Sequence, residues 1–286
     1  MTAFLKMNGL GNDFAVVDAR HTPFALSPAR ITALAPRDGG IGFDQFIVIA
    51  PATSAEAAAT MRIINADGGE VESCGNAARC VAALLLDETG ADAVSIDSLG
   101  GLMKAWRRDG GRIAVDMGVP RFDAASIPLA DTGADAQALA LPGHAERFGP
   151  AACVNVGNPH AVFFVPSLAD VPLAEAGPAL EHHAAFPARA NISFVEAVGP
   201  DRLRAIVWER GVGPTRACGT AACAIGALAH RLGRTGPRVT VELPGGPLAI
   251  DVTSGRIVME GPFELEYAGT ITDSGFTRNV ETRGAA

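Results

Sequence analysis

The feature that most constrains this chain is that it repeats itself. Cys74-Gly-Asn-Ala-Ala-Arg-Cys-Val-Ala-Ala-Leu84 lies over Cys218-Gly-Thr-Ala-Ala-Cys-Ala-Ile-Gly-Ala-Leu228 with six identities in eleven positions, at an offset of 218 − 74 = 144. Gly11-Asn12-x-x-Ala15-Val16 matches Gly157-Asn158-x-x-Ala161-Val162 at an offset of 146, with Gln45-Phe-Ile-Val opposite Asn191-Ile-Ser-Phe. Arg62-Ile-Ile-Asn65 falls opposite Ile206-Val-Trp-Glu209, at 144 again. Four matches in one order and nearly one register point to a duplicated domain. Two similar halves would face each other about a pseudo-twofold axis, with Cys74 opposite Cys218. We read the halves as residues 1–120, joined by a returning strand around 265–278, and 121–264. The boundary falls in residues 115–145, where Pro120, Pro128 and the Ala/Asp/Gly-rich run 129–138 look like a linker.

Short apolar or β-branched runs bounded by Gly, Pro, Asn or Asp read as strands: Phe46–Ile49, Met61–Asn65, Ala93–Ile96 and Ile113–Met117 in the first half. Ala161–Val165, Leu203–Glu209, Val239–Leu243 and Ile257–Glu260 read the same way in the second. After each Cys-Gly comes an Ala/Leu-rich helix, Asn76–Leu86 stopped near Gly90 and Thr220–Leu232 stopped at Gly233. Each is apolar almost all round and is expected to be buried. The expected fold is mixed α/β, in two pseudo-symmetric domains. Each is a mostly antiparallel sheet wrapped around a central buried helix, with the active site in the cleft between domains.

Composition narrows the function. With 48% hydrophobic residues among 286 there is ample material for packed cores. A formal net charge of −8 leaves no basic footprint for nucleic acid or an anionic membrane surface. The N-terminus lacks a signal-peptide pattern and no apolar run reaches the ~18 residues of a membrane span, so a cytoplasmic protein acting on a small molecule is expected. Lysine occurs only at Lys6 and Lys104, neither in a setting that suits a pyridoxal Schiff base. Five cysteines, an odd number in a long, core-rich chain, imply reduced thiols rather than a disulfide scaffold.

Cysteine at the start of a buried helix is chemically loaded. It meets unpaired backbone N–H groups and the positive end of the helix dipole, both of which favour thiolate. The following glycine lets a ligand approach the backbone, and the free amides of Gly75-Asn76 and Gly219-Thr220 suit one carboxylate. A carboxylate held there would set its Cα between two sulfurs and stabilise the charge left when that carbon loses its proton. Two thiols on opposite faces are what a stereoinversion needs. Cys80, Cys153 and Cys223 read as small buried hydrophobes. Zinc at Cys74/Cys80 or Cys218/Cys223 is possible on paper but disfavoured by poor spacing and the lack of a nearby His or Cys partner, and no metal is expected. Taken singly, Asn12, Asn65, Asn158 and Asn191 are ordinary turn residues, Glu209-Arg210 a surface pair, and His160 a structural histidine. His182-His183 reads as solvated surface.

Taken together, several of these segments resemble the diaminopimelate epimerases. They are Met7–Phe14 (MNGLGNDF), Asp38–Gln45 (DGGIGFDQ), Asn65–Cys80 (NADGGEVESCGNAARC), Asn155–Val162 (NVGNPHAV), Arg189–Ile192 (RANI) and Trp208–Cys223 (WERGVGPTRACGTAAC). The resemblance implies interconversion of LL- and meso-2,6-diaminopimelate in lysine and cell-wall precursor synthesis, without a cofactor. Cys74 and Cys218 then fall on the base and acid pair. His160 and Glu209 fall on residues that support catalysis. Asn12, Gln45, Asn65, Asn158, Asn191, Glu209 and Arg210 fall on substrate-contacting positions, with Gly75, Asn76, Gly219 and Thr220 on the helix starts. An Asn/Arg set suits a second amino-carboxylate arm. Departures are Ala77 and Ala221, where the family pattern has glycine, and Pro214, where an acidic residue is usual; none removes a functional group. A proline racemase or hydroxyproline epimerase is the rival enzyme, but a substrate with one carboxylate and a ring does not call for Asn65, Asn191 and Arg210. A thiol redox or binding protein, with Cys74 and Cys218 as a switchable disulfide, is the rival outside catalysis. The oligomeric state stays open, a homodimer being compatible with the sequence.

Overall fold

Runs such as residues 46–50 are apolar at successive positions, so they suit strands covered on both faces. The computed structural model describes residues 1–72 and 74–279. The chain divides into Met1–Val115 with Gly261–Ala286, and Asp116–Glu260. In the first unit the order is β1 (Thr2–Asn8), β2 (Asp13–Asp18), α1 (Pro28–Leu34), β3 (Gln45–Ala50), β4 (Ala59–Asn65), β5 (Glu70–Val71), α2 (Gly75–Thr89), β6 (Ala93–Asp97), β7 (Met103–Arg107) and β8 (Ile113–Asp116). In the second it is α3 (Ala145–Phe148), β9 (Ala152–Asn155), β10 (Pro159–Phe164), α4 (Leu173–Glu181), β11 (Asn191–Gly199), β12 (Arg202–Glu209), β13 (Gly213–Thr215), α5 (Gly219–Arg231), β14 (Arg238–Leu243), β15 (Gly246–Asp251) and β16 (Val258–Gly261). Strands β17 (Glu264–Ile271) and β18 (Phe276–Arg278) return to the first unit, where β17 pairs antiparallel with both β1 and β18.

The two units use one pairing scheme. β1–β2 is antiparallel, β2–β3 parallel, β3–β4 and β4–β5 antiparallel, β4–β6 parallel and β6–β7–β8 antiparallel. The same sequence of pairings runs through β9–β10, β10–β11, β11–β12, β12–β13, β12–β14 and β14–β15–β16. Even the register repeats: Phe14 pairs with Gln45, and His160, 146 residues on from Phe14, pairs with Asn191, 146 on from Gln45. The repeat read from the sequence is therefore a repeat of architecture, a mostly antiparallel sheet with a buried helix in each unit.

Those helices are α2, packed on β6 and β7, and α5, packed on β9, β10, β11, β14 and β15. Residues Gly75–Ala83, Leu85 and Leu86 are buried in α2, as is every residue from Gly219 to Ala229 in α5. Each helix begins one residue before the sequence expectation, which makes the cysteine the N-cap. Gly90 closes α2 in the left-handed conformation, at φ 64°.

Residues 115–145 correct the expectation of a linker. Ala124, Ile127, Leu129, Ala136 and Leu141 are buried in the core of the second unit, beside Phe148, Phe163 and Phe194. Scattered small apolar residues between turn formers carry no period, yet they fill a core as well as a strand does.

Candidate active site

In the first unit the chain is extended at Cys74 (φ −147°, ψ 107°) and turns helical at Gly75. The Ala77 N–H donates to Cys74 Sγ at 3.5 Å, the geometry of an N-cap with sulfur in place of oxygen. The Cys74 thiol lies 3.8 Å from Asn12 Oδ1, which also accepts from Asn76 Nδ2 at 3.3 Å. An amide can point either way, but here both ends are fixed. Asn12 Nδ2 donates to Asp44 Oδ2 at 3.2 Å, so Oδ1 faces the thiol. Asn76 Oδ1 accepts from Arg79 Nη1 at 3.0 Å, so its NH2 faces Asn12. Asp44 also accepts from the Asp13 N–H at 2.8 Å, and Asp13 is tied to buried Lys6 at 2.5 Å and to Arg37 at 2.8 Å. A second amide pair stands on the adjoining strands: Gln45 and Asn65 face each other across β3 and β4, and Gln45 Nε2 donates to Asn65 Oδ1 at 3.1 Å.

In the second unit Cys218 caps α5 from the same extended conformation (φ −129°, ψ 108°). Its Sγ is 3.4 Å from Thr220 Oγ1, and its neighbour is the Glu209 carboxylate, oriented by a 2.6 Å hydrogen bond from Thr215 Oγ1. Burial first, and then the negative charge of Glu209, push the Cys218 thiol well above its ordinary range. Cys74, by contrast, is only partly buried. His160 is fully buried, with Nε2 2.8 Å from Asn158 Oδ1. Burial and the charge of Arg210 lower it to about 3, so the ring is neutral at ordinary pH. The Arg210 N–H donates to Asn191 Oδ1 at 3.0 Å, and Asn191 Nδ2 donates to the Pro159 carbonyl at 3.0 Å.

The residues singled out in the sequence thus fall into small bonded groups: Asn12, Cys74 and Asn76; Gln45 and Asn65; Asn158 and His160; Asn191 and Arg210; Glu209, Cys218 and Thr220. Reading the sequence missed Asp44, Arg79 and Thr215, which orient Asn12, Asn76 and Glu209, and Glu181, which accepts from the Gly211 N–H beside Arg210. Burial pushes Cys80 and Cys153 up to about 12, as expected of inert thiols. Ala77 and Ala221 are fully buried and keep their backbone N–H groups in the first turn, while Pro214 sits exposed on β13 opposite Trp208. Among the described residues, no three His, Cys, Asp or Glu side chains are grouped to hold a metal, and no helix is long and apolar enough to cross a membrane.

Each unit thus starts its buried helix at a cysteine with polar side chains beside it, Asn12 at Cys74 and Thr220 with Glu209 at Cys218. A family model for diaminopimelate epimerase matches residues 4–122 and 152–266. The chain belongs to the diaminopimelate epimerase family. The diaminopimelate epimerase of Rhizorhabdus wittichii is 48% identical over 286 residues, covering 98% of each chain. That of Phenylobacterium zucineum is 46% identical over 271 residues, 94% of this chain and 97% of the relative. In fold, this family member resembles a hydroxyproline epimerase from Agrobacterium vitis, at TM-score 0.65 and 18% identity over 97% of this chain and 90% of that one. A PhzF-family phenazine biosynthesis protein from Bacillus anthracis is similar too, at TM-score 0.63 and 16% identity, covering 93% and 97%.

Proposed function

We propose that this chain is a cofactor-independent two-base epimerase that interconverts LL- and meso-2,6-diaminopimelate, with Cys74 and Cys218 exchanging the α-proton. The observation that carries the reading is the cysteine N-cap repeated on the buried helix of each unit. In this reading one sulfur, as thiolate, removes the α-proton and becomes a thiol. The electron pair left on carbon spreads into the adjacent carboxylate. The other sulfur, a thiol, gives its proton to the opposite face and becomes the thiolate, so the pair gains and loses one proton in all.

The amides at Gly75, Asn76, Gly219 and Thr220 are assigned to that carboxylate, whose growing charge they stabilise. Asn12, Gln45, Asn65, Asn158, Asn191, Glu209 and Arg210 are assigned to the substrate, with Arg210 and Asn191 on its distal arm. His160 and Glu209 support the reacting centre, His160 as a neutral ring. Lysine chemistry has poor material here, since Lys6 is held by Asp13 and Glu266 at 2.5 and 3.1 Å. The reading carries a cytoplasmic location and is compatible with a homodimer. The test is incubation of the purified protein with LL-2,6-diaminopimelate after treatment with a chelator, followed by chiral separation. The meso isomer is expected, with no visible chromophore on the protein. No meso product, or activity restored only by added metal, would overturn the proposal.

A further inference from the structure

Glu181 is the last residue of α4 and is 3% exposed. That is an unfavourable address for a carboxylate, both because it is buried and because the helix C-terminus is the negative end of the dipole. Three donors compensate. Glu181 Oε2 accepts from Trp208 Nε1 at 2.8 Å, and Oε1 accepts from the Gly211 N–H at 2.8 Å and from Arg189 Nη1 at 3.3 Å. These bonds outweigh burial and hold the carboxyl below its usual range.

The donors are not scattered. Trp208 immediately precedes Glu209-Arg210 and Gly211 immediately follows. Arg189 adjoins Ala188, whose carbonyl accepts from Arg210 Nη1 at 3.1 Å. One carboxylate oxygen therefore ties the turn that carries Arg210 to the segment that receives its guanidinium. The Arg210 backbone is held from the other side by Asn191. Around the carboxylate the fit is close. A Cβ on Gly177, one turn earlier in α4, would lie 2.5 Å from Trp208 Cδ2, so the ring sits against the helix backbone. Arg189 takes a left-handed φ of 57°, uncommon for a residue with a side chain. An apolar residue would fill the space behind β12 at less desolvation cost. What the carboxylate adds is direction.

We infer that Glu181 is a positioning residue that acts through Arg210, setting the guanidinium where it reads the distal amino-carboxylate arm of the substrate. This rests on the assignment of Arg210 given above. The test is a pair of double-mutant cycles, Glu181→Gln and Arg189→Asn, each made in the unaltered chain and in Arg210→Ala, with steady-state kinetics on LL-2,6-diaminopimelate. Glu181→Gln alone should raise KM on the order of tenfold and change kcat by less than about threefold. In the Arg210→Ala background it should change kcat/KM by less than about twofold, because the group it positions is gone. Arg189→Asn should follow the same pattern more weakly. It tolerates the left-handed backbone and alters a half-exposed side chain, so it carries the test if Glu181→Gln does not fold. Losses that multiply independently in the two backgrounds would sink the inference and leave the assignment of Arg210 standing. Near-normal kinetics for Arg210→Ala alone would remove that assignment and this inference with it.

Discussion

A single side chain in this protein often has its role decided by the neighbour that orients it. Arg210 owes its placement to Asn191 and Ala188, both within 3.1 Å, and it is the cation assigned to the distal arm. Arg210→Ala should therefore cost about 2–4 kcal/mol in kcat/KM, as loss of a charge-assisted contact does. Kinetics within twofold of the unaltered chain would refute the assignment. His160 makes a prediction about stability instead. Burial and Arg210 lower it to about 3 in the fold, and unfolding returns it toward 6.5. Between those values the unfolded chain binds more protons, so stability rises with pH. The contribution is fully present above about 6.5 and is lost as pH falls toward about 3, with a slope of at most ~1.4 kcal/mol per pH unit. Urea unfolding between about pH 4 and 7 should show a shallower slope for His160→Gln than for the unaltered chain. An identical slope in both would mean that His160 is not held neutral by the fold.

The buried helices are the elements on which the proposed chemistry rests, and their packing leaves little slack. A Cβ on Gly226 of α5 would lie 2.6 Å from Ile250 Cγ2 and 2.9 Å from Ile250 Cβ on β15. Alanine is the better helix former in isolation, by about 1 kcal/mol, yet Gly226→Ala should destabilise by about 1–3 kcal/mol because the sheet cannot move away. An unchanged urea midpoint would show that α5 and β15 are not locked together. Both helices were legible in the sequence because an all-round apolar run between a Cys-Gly and a glycine stop has one good explanation. Strand β1 was not. Its Lys6 looks like a break in an apolar run, and the partners that neutralise it, Asp13 and Glu266, are 7 and 260 residues away. Residues 115–145 failed to read as core for a related reason: their buried side chains follow no period. The candidate site divides in the same manner. The residue types and a cysteine at each helix start could be read directly, whereas the orienting contacts of Asp44 with Asn12 and of Glu181 with Gly211 span 32 and 30 residues and leave no local pattern.

At the scale of the whole molecule, duplication supplies the same helix start twice and divergence makes the two different. Cys74 is partly exposed and bonded to the oriented amide of Asn12, whereas Cys218 is buried against the carboxylate of Glu209, which favours its protonated form. A two-base reaction needs this inequality, because one sulfur must accept a proton while the other still holds one. The pair should titrate jointly, with a bell-shaped dependence of kcat/KM on pH. Started from one stereoisomer in D2O, early product should carry deuterium at the inverted carbon while recovered substrate carries almost none, since a thiol that has just taken the substrate proton returns protium. Equal deuterium in substrate and product from the first turnovers, measured by mass spectrometry, would point to a single exchanging base. Replacing either cysteine should then settle the division of labour. Cys74→Ala and Cys218→Ala should each abolish inversion in both directions, because each sulfur is the base for one direction and the acid for the other. A Cys218→Ala chain that still inverts its substrate would leave the two-cysteine mechanism untenable.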